Sequence, residues 1–247
     1  MTTVANPRAN IPVGERLIFA LDVPDATRAR ALVEVLGDSV QFYKIGLELC
    51  MSGEYFPLLD WLVARGKKVF VDLKFFDIPA TVAGAVRRLN GRGVTFATVH
   101  GNQAIMKAAA EAKGDVKILA VTVLTSLDRG DLDDLGFNCD VEQLVLSRAR
   151  RAFESGCDGV VASGLECQAL RNHVDNRLIV VSPGIRPVEN RPTDDQNRVV
   201  TVQQAFQWGA DYIVVGRPIR DAKDPTAAAG RLSQEIASSF PTGRSHV

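Results

Sequence analysis

The chain has 247 residues, a length that suits one α/β barrel of about 250 residues as well as two small domains. Hydrophobic residues make up 46% and charged residues 23%, which excludes disorder for most of the chain. With 29 Lys plus Arg against 29 Asp plus Glu there is no net positive field to hold nucleic acid or an anionic membrane, and only a local anion site stays open.

Residues 1–14 hold Pro7 and Pro12 among polar residues, lack the apolar stretch of a secretory leader, and read as an N-terminal extension. The first apolar run, 17–21, stops at Asp22. Ala29, Leu32, Val33 and Leu36 then recur with helical period up to Gly37. A second run, 40–45, carries Lys44 near its end, a third, 69–73, runs into Asp72 and Lys74, and a fourth, 94–99, stops at His100. A fifth run covers 118–124, and a one-sided helix through Val141, Leu144, Val145, Ala149 and Ala152 follows up to Gly156. Runs at 159–162, 178–181 and 212–215 complete eight candidate strands. Between the last two, residues 187–197 are rich in Pro, Asn, Asp and Glu and are expected to form a mobile loop, and 241–247 a flexible tail.

The runs are continuously apolar rather than alternating, as parallel strands covered by helices require. Eight strand and helix alternations without a linker or composition break predict a single-domain (β/α)8 TIM barrel over 1–247. The rival, an open dinucleotide-binding sheet, needs a glycine fingerprint after an early strand, but the first strand runs into Asp22, Val23, Pro24 and Asp25. Cys50, Cys139, Cys157 and Cys167 lack C-x-x-C spacing and read as reduced structural residues. No stretch approaches 18 apolar residues, so no membrane span is expected, and the expected location is cytoplasmic.

Barrel chemistry sits at the C-terminal ends of the strands, so Asp22, Lys44, Asp72, Lys74 and His100 matter for their position. Side chains two apart on a strand share a face, which points Asp72 and Lys74 into the mouth and Leu73 toward the helices. A plain ion pair is the alternative reading of these two, and Asp77, just ahead of Pro79, could serve only a helix N-terminus. An ammonium held between carboxylates has a fixed location and a proton to give, which suits a general acid acting on a carbanion. Gly216-Arg217 after the eighth strand, and Pro183-Gly184-Ile185-Arg186 after the seventh, each place a glycine and an arginine where a phosphate would be cradled.

The segments Phe19-Ala20-Leu21-Asp22, Tyr43-Lys44-Ile45-Gly46, the stretch from Asp72-Leu73-Lys74 through Asp77 to Thr81, Pro183-Gly184-Ile185-Arg186-Pro187 and Val215-Gly216-Arg217-Pro218 occur in series. In this series the chain resembles the orotidine 5'-phosphate decarboxylase family over essentially its whole length. The resemblance implies decarboxylation of orotidine 5'-phosphate to UMP and CO2, and with no PLP, thiamine or metal motif evident in the sequence no cofactor or metal is expected. It implies Lys74 as the acid protonating C6, Asp72 beside the departing carboxylate, and a homodimer in which Asp77 and Thr81 reach the neighbouring subunit's site. It further implies ribose contacts from Asp22 and Lys44, a pyrimidine contact from Thr125, and phosphate contacts from Gln196, Gly216 and Arg217. Ile78 and Pro183 are implied as further substrate-binding positions, with Arg186 at the base of the closing loop. Phe76 departs from the family, which commonly has His there in bacterial members, and a packing change is expected; His100 is as well explained as structural. Two further enzyme readings use the same barrel, a metal-dependent sugar-phosphate decarboxylase or isomerase and a lysine Schiff-base aldolase. A catalytically silent phosphate-binding barrel is the non-enzymatic one.

Overall fold

The computed structural model describes residues 10–185 and 200–240. Within them β1 (Leu17–Ala20), β2 (Phe42–Ile45), β3 (Lys68–Phe75), β4 (Val94–His100), β5 (Lys117–Val121), β6 (Gly159–Val161), β7 (Ile179–Ser182) and β8 (Tyr212–Val215) form a closed barrel in sequence order. Every neighbouring pair is parallel, β8 closing onto β1. The (β/α)8 architecture expected from the alternating runs is the one observed.

Two hydrophobic clusters follow from the period of two along each strand. Ile18, Phe42, Phe70, Phe96, Leu119, Ile179, Val181 and Tyr212 pack inside the barrel, while Leu17, Phe19, Tyr43, Val69, Val71, Ala97 and Val180 pack outward under the helices. Four rings fill the interior: Phe96 lies 5.2 Å from both Phe42 and Tyr212 and 5.9 Å from Phe70, centroid to centroid. The space left is too narrow for a side chain on β6, where a Cβ at Gly159 would stand 2.4 Å from the Ile179 carbonyl oxygen and 2.8 Å from Leu119 Cδ2. This packed plug makes the barrel a core and not a pore, and it confines any site to the mouth.

The outer helices start where the sequence supplies caps. Asp25 accepts from the Arg28 amide ahead of the helix Ala26–Leu36, and Asp140 from Gln143 ahead of Val141–Glu154. In the latter helix Leu144, Val145, Ala149 and Ala152 are the buried face, as their spacing predicts.

The end of the barrel opposite the mouth is held by a buried ion pair. Asp211, 1% exposed, accepts from Arg171 Nη2 at 2.7 Å and from the Val180 amide at 2.9 Å, and its carbonyl accepts from Arg16. Asp211→Ala would leave the Arg171 guanidinium buried without that carboxylate, and stability in urea titrations is expected to fall by about 3–5 kcal/mol. Turnover per folded molecule should not change, because Asp211 precedes β8 and the mouth lies beyond its far end.

Candidate active site

A cavity of about 510 Å³ opens at the C-terminal ends of the strands. Its floor is the inward-facing side chains Ala20, Phe70, Val161 and Val214, and its walls are the polar groups at the strand ends. Asp22 follows β1, Lys44 lies in β2 and Asp72 and Lys74 in β3; Thr125 follows β5, Pro183 and Gly184 follow β7, and Gly216 and Arg217 follow β8.

The charged groups alternate in sign across adjacent strands. Lys44 Nζ lies 3.0 Å from Asp22 Oδ1 and 3.6 Å from Asp72 Oδ2, and Asp72 Oδ2 accepts from Lys74 Nζ at 2.9 Å. Burial alone would push the Asp72 carboxyl up, but Lys44, Lys74 and the hydrogen bonds from Lys74 and Thr98 outweigh it and hold Asp72 below the ordinary aspartate value. Burial likewise draws Lys44 down, and Asp72 and Asp22 outweigh it and raise the ammonium above its ordinary value. The linkage has opposite signs at the two ends. The depressed Asp72 contributes stability that is complete above the unfolded value near 4 and is lost as pH falls through the folded one, and the raised Lys44 contributes stability that is complete below about 10.4 and is lost as pH rises through its folded value. The pair therefore stays ionised across the whole neutral range.

β3 reaches this geometry by leaving the regular ladder. Val71 pairs with Ala97 and the next pair is Phe75 with Val99, so Asp72, Leu73 and Lys74 stand opposite Thr98 alone. Lys74 turns into the left-handed region at φ 49°, and among the described residues no other non-glycine has a positive φ. An L-residue held there costs about 1–3 kcal/mol, and such strain gathers at functional sites. Leu73 packs against the outer cluster, as the strand period predicts.

Within the chain Lys74 meets Asp72 of its own segment, and Asp77 lies away from it. Asp77 is exposed, and its Oδ1 accepts from the Ile78 amide. It lines a second cavity of about 520 Å³ with Phe76, Ile78, Pro79, Asn102, Ala104 and Ile105. Thr81 is exposed on the helix Pro79–Arg87. Asp77, Ile78 and Thr81 thus stand apart from the central cavity, and the second carboxylate of the charge row is Asp22, joined through Lys44. Phe76 is 64% exposed and packs against His100, the two rings tilted by 47° with centroids 4.6 Å apart. His100 is drawn below its ordinary value by burial and then by Arg148. Arg186, Gln196 and the loop 187–197 lie outside the described residues, as does the tail 241–247.

Two contributors were not singled out from the sequence. Arg220 lines the cavity one helical turn after Arg217 and donates to the Asp22 carbonyl at 2.8 Å, tying the β8 loop to the end of β1. Thr98 is fully buried and donates to Asp72 Oδ1 at 2.9 Å. Its inward register between Phe96 and His100 was the available signal. Gly216 leaves room for the close approach of β1: a Cβ there would meet Ala20 Cβ at 3.3 Å. Among the described residues no three His, Cys, Asp or Glu groups converge to hold a metal ion, and no helix is long and apolar enough to cross a membrane.

The family model described as Orotidine 5'-phosphate decarboxylase / HUMPS family matches residues 15–232. A curated orotidine 5'-phosphate decarboxylase of Methylococcus capsulatus is 69% identical, covering 94% of this chain and 96% of its own. That of Xanthomonas euvesicatoria is 55% identical over 95% and 98%. Among solved structures, orotidine 5'-phosphate decarboxylase from Lactobacillus acidophilus superposes with a TM-score of 0.78 at 34% identity, covering 92% of this chain and 100% of that one.

Proposed function

The chain belongs to the orotidine 5'-phosphate decarboxylase / HUMPS family, and from that premise we propose that it removes CO2 from orotidine 5'-phosphate to give UMP, with Lys74 as the acid. The observation that carries this reading is the row Asp22, Lys44, Asp72, Lys74 at the cavity mouth, with Arg217 on its β8 side. The bond from C6 to the carboxylate breaks, its electron pair stays on C6, and Lys74 Nζ delivers a proton to that carbon. A vinyl-type carbanion has no neighbouring carbonyl to delocalise it, so a fixed positive charge held beside that carbon is the stabilisation this chain offers. Asp72, held ionised beside the ammonium, keeps that charge in place and meets the departing carboxylate. Lys44 and Asp22 suit ribose hydroxyls, Thr125 the pyrimidine amide, Pro183 the ring face, and Gly216 with Arg217 the phosphate. Arg186 and Gln196 are assigned to the phosphate side on resemblance alone.

We further propose a homodimer. Asp77, Ile78 and Thr81 lie exposed beside one another at the end of β3, where a second copy could receive them into its cavity. The four cysteines are unpaired, which fits a reducing, cytoplasmic setting, and the chain is read as one barrel domain.

No cofactor is assigned. Asp72 Oδ1 already accepts from Thr98 and Oδ2 from an ammonium, so a divalent cation would have to displace a proton donor from each oxygen. Protein exhaustively treated with EDTA is expected to turn over orotidine 5'-phosphate at an undiminished rate, followed as the fall in ultraviolet absorbance. Loss of activity restored by Mg2+ would instead favour the metal-dependent sugar-phosphate reading.

A further inference from the structure

The irregularity in β3 leaves the Lys74 amide without a ladder partner on the β4 backbone, because Asp72, Leu73 and Lys74 all face Thr98 between the pairs Val71 with Ala97 and Phe75 with Val99. The Thr98 side chain takes that role. Its Oγ1 accepts from the Lys74 amide at 2.9 Å and lies 2.9 Å from Asp72 Oδ1, inside the barrel and fully buried. A hydroxyl carries one hydrogen. Since an N–H donates to this oxygen and a carboxylate can only accept from it, the hydroxyl hydrogen is directed to Asp72. One atom is thereby bonded to the backbone of the ammonium-bearing residue and to the carboxylate that holds the ammonium. It closes a ring: Lys74 amide, Thr98 Oγ1, Asp72 Oδ1, Asp72 Oδ2, Lys74 Nζ.

We propose that Thr98 is a positioning residue for the decarboxylation, holding Lys74 in its left-handed conformation and turning Asp72 so that Oδ2 meets the ammonium. A β-branched residue chosen only to fill the barrel interior would serve equally well as valine, which has nearly the same shape. The hydroxyl is the part that packing does not require. The inference rests on the decarboxylase reading, since the step that Thr98 serves is proton delivery by Lys74.

The test compares Thr98→Val with Thr98→Ser and the wild type, with orotidine 5'-phosphate as substrate. Thr98→Val is expected to lower kcat by about 10- to 100-fold and to leave KM within about twofold, because the donor is misplaced while the contacts that bind substrate remain. Thr98→Ser, which keeps the hydroxyl, should recover most of the rate. The acid limb of the kcat profile provides a readout that simple loosening would not move. Asp72 is faced by Lys44 from β2, Lys74 from its own strand and Thr98 from β4, with Asp22 beyond Lys44 and the Tyr55 phenol nearby. Removing the Thr98 donor makes Asp72 easier to protonate, so the limb should move to higher pH in Thr98→Val and stay in place in Thr98→Ser. An unshifted limb with an undiminished kcat in Thr98→Val overturns the proposal. If Thr98→Val does not fold, Thr98→Cys against Thr98→Ser makes the same comparison at one atom, a thiol being a weak donor, and equal rates overturn it. A wild-type protein that releases no CO2 sinks the decarboxylase reading and this inference with it. An active wild type matched by Thr98→Val removes only the role of Thr98.

Discussion

Lys74→Ala is expected to lose turnover of orotidine 5'-phosphate by about 10⁴-fold or more while remaining folded, because one side chain supplies two effects. General acid catalysis is worth about 10²–10⁴-fold, and a preorganised charge aimed at developing negative charge is worth about 10²–10³-fold more. The substitution removes both and replaces a left-handed lysine with a left-handed alanine, so the backbone strain is unchanged. Loss of the ammonium leaves Asp72 paired with Lys44 at 3.6 Å and bonded to Thr98, so its charge is still compensated. The fold should therefore survive, which circular dichroism and a melting curve would check. The measurement that decides is single-turnover CO2 release. A variant within about tenfold of wild type would mean that another group delivers the proton, and that the role given to Lys74 is wrong.

The same comparison bears on the Schiff-base alternative. An amine that attacks a carbonyl must be free of its proton and unobstructed. Lys74 Nζ instead donates to a carboxylate held ionised on both sides, by Thr98 at one oxygen and by ammonium groups at the other. This geometry favours delivery of a proton over formation of a carbon–nitrogen bond.

Which features the sequence disclosed follows from how each is encoded. Strands buried on both faces are written as continuous apolar runs, and a charged residue at the mouth interrupts such a run, so the barrel and Asp22, Lys44, Asp72 and Lys74 could be read from position. The limits of β5 could not: the apolar run continues through Val123 and Leu124, but the ladder ends at Val121, after which Thr122 turns its hydroxyl onto the Val161 carbonyl. The period of two placed Asp72 and Lys74 on one face, and they do meet there, though through a left-handed residue and an irregular register that no periodic rule contains. Asp77, just ahead of Pro79, was legible only as a residue near a helix N-terminus, and there its carboxylate accepts the neighbouring Ile78 amide; its place in a second subunit's site came from the family resemblance and not from spacing. Thr98 stayed hidden because threonine is an ordinary strand residue, and its significance lies in two partners brought to it from β3.

Arg217→Ala is expected to raise KM and to lower kcat/KM for orotidine 5'-phosphate by about 10²–10³-fold, the range for removing one partner of a desolvated charge pair. With the unphosphorylated nucleoside the same variant should differ little from wild type. The argument is one of position. Arg217 enters the cavity from the loop after β8, whereas Lys74 lies on β3, two strands beyond β1 around the barrel. On the proposed reading a guanidinium on that side assists by binding the phosphate, while Lys74 serves the carbon that loses CO2. Arg220 sharpens the comparison. It is held by Asp221 at 2.7 Å and by the Asp22 carbonyl, and so remains engaged in the scaffold when Arg217 is removed. Equal losses on nucleotide and nucleoside would show that Arg217 supports the mouth itself, through the loop that packs against the end of β1, and the phosphate assignment would fall.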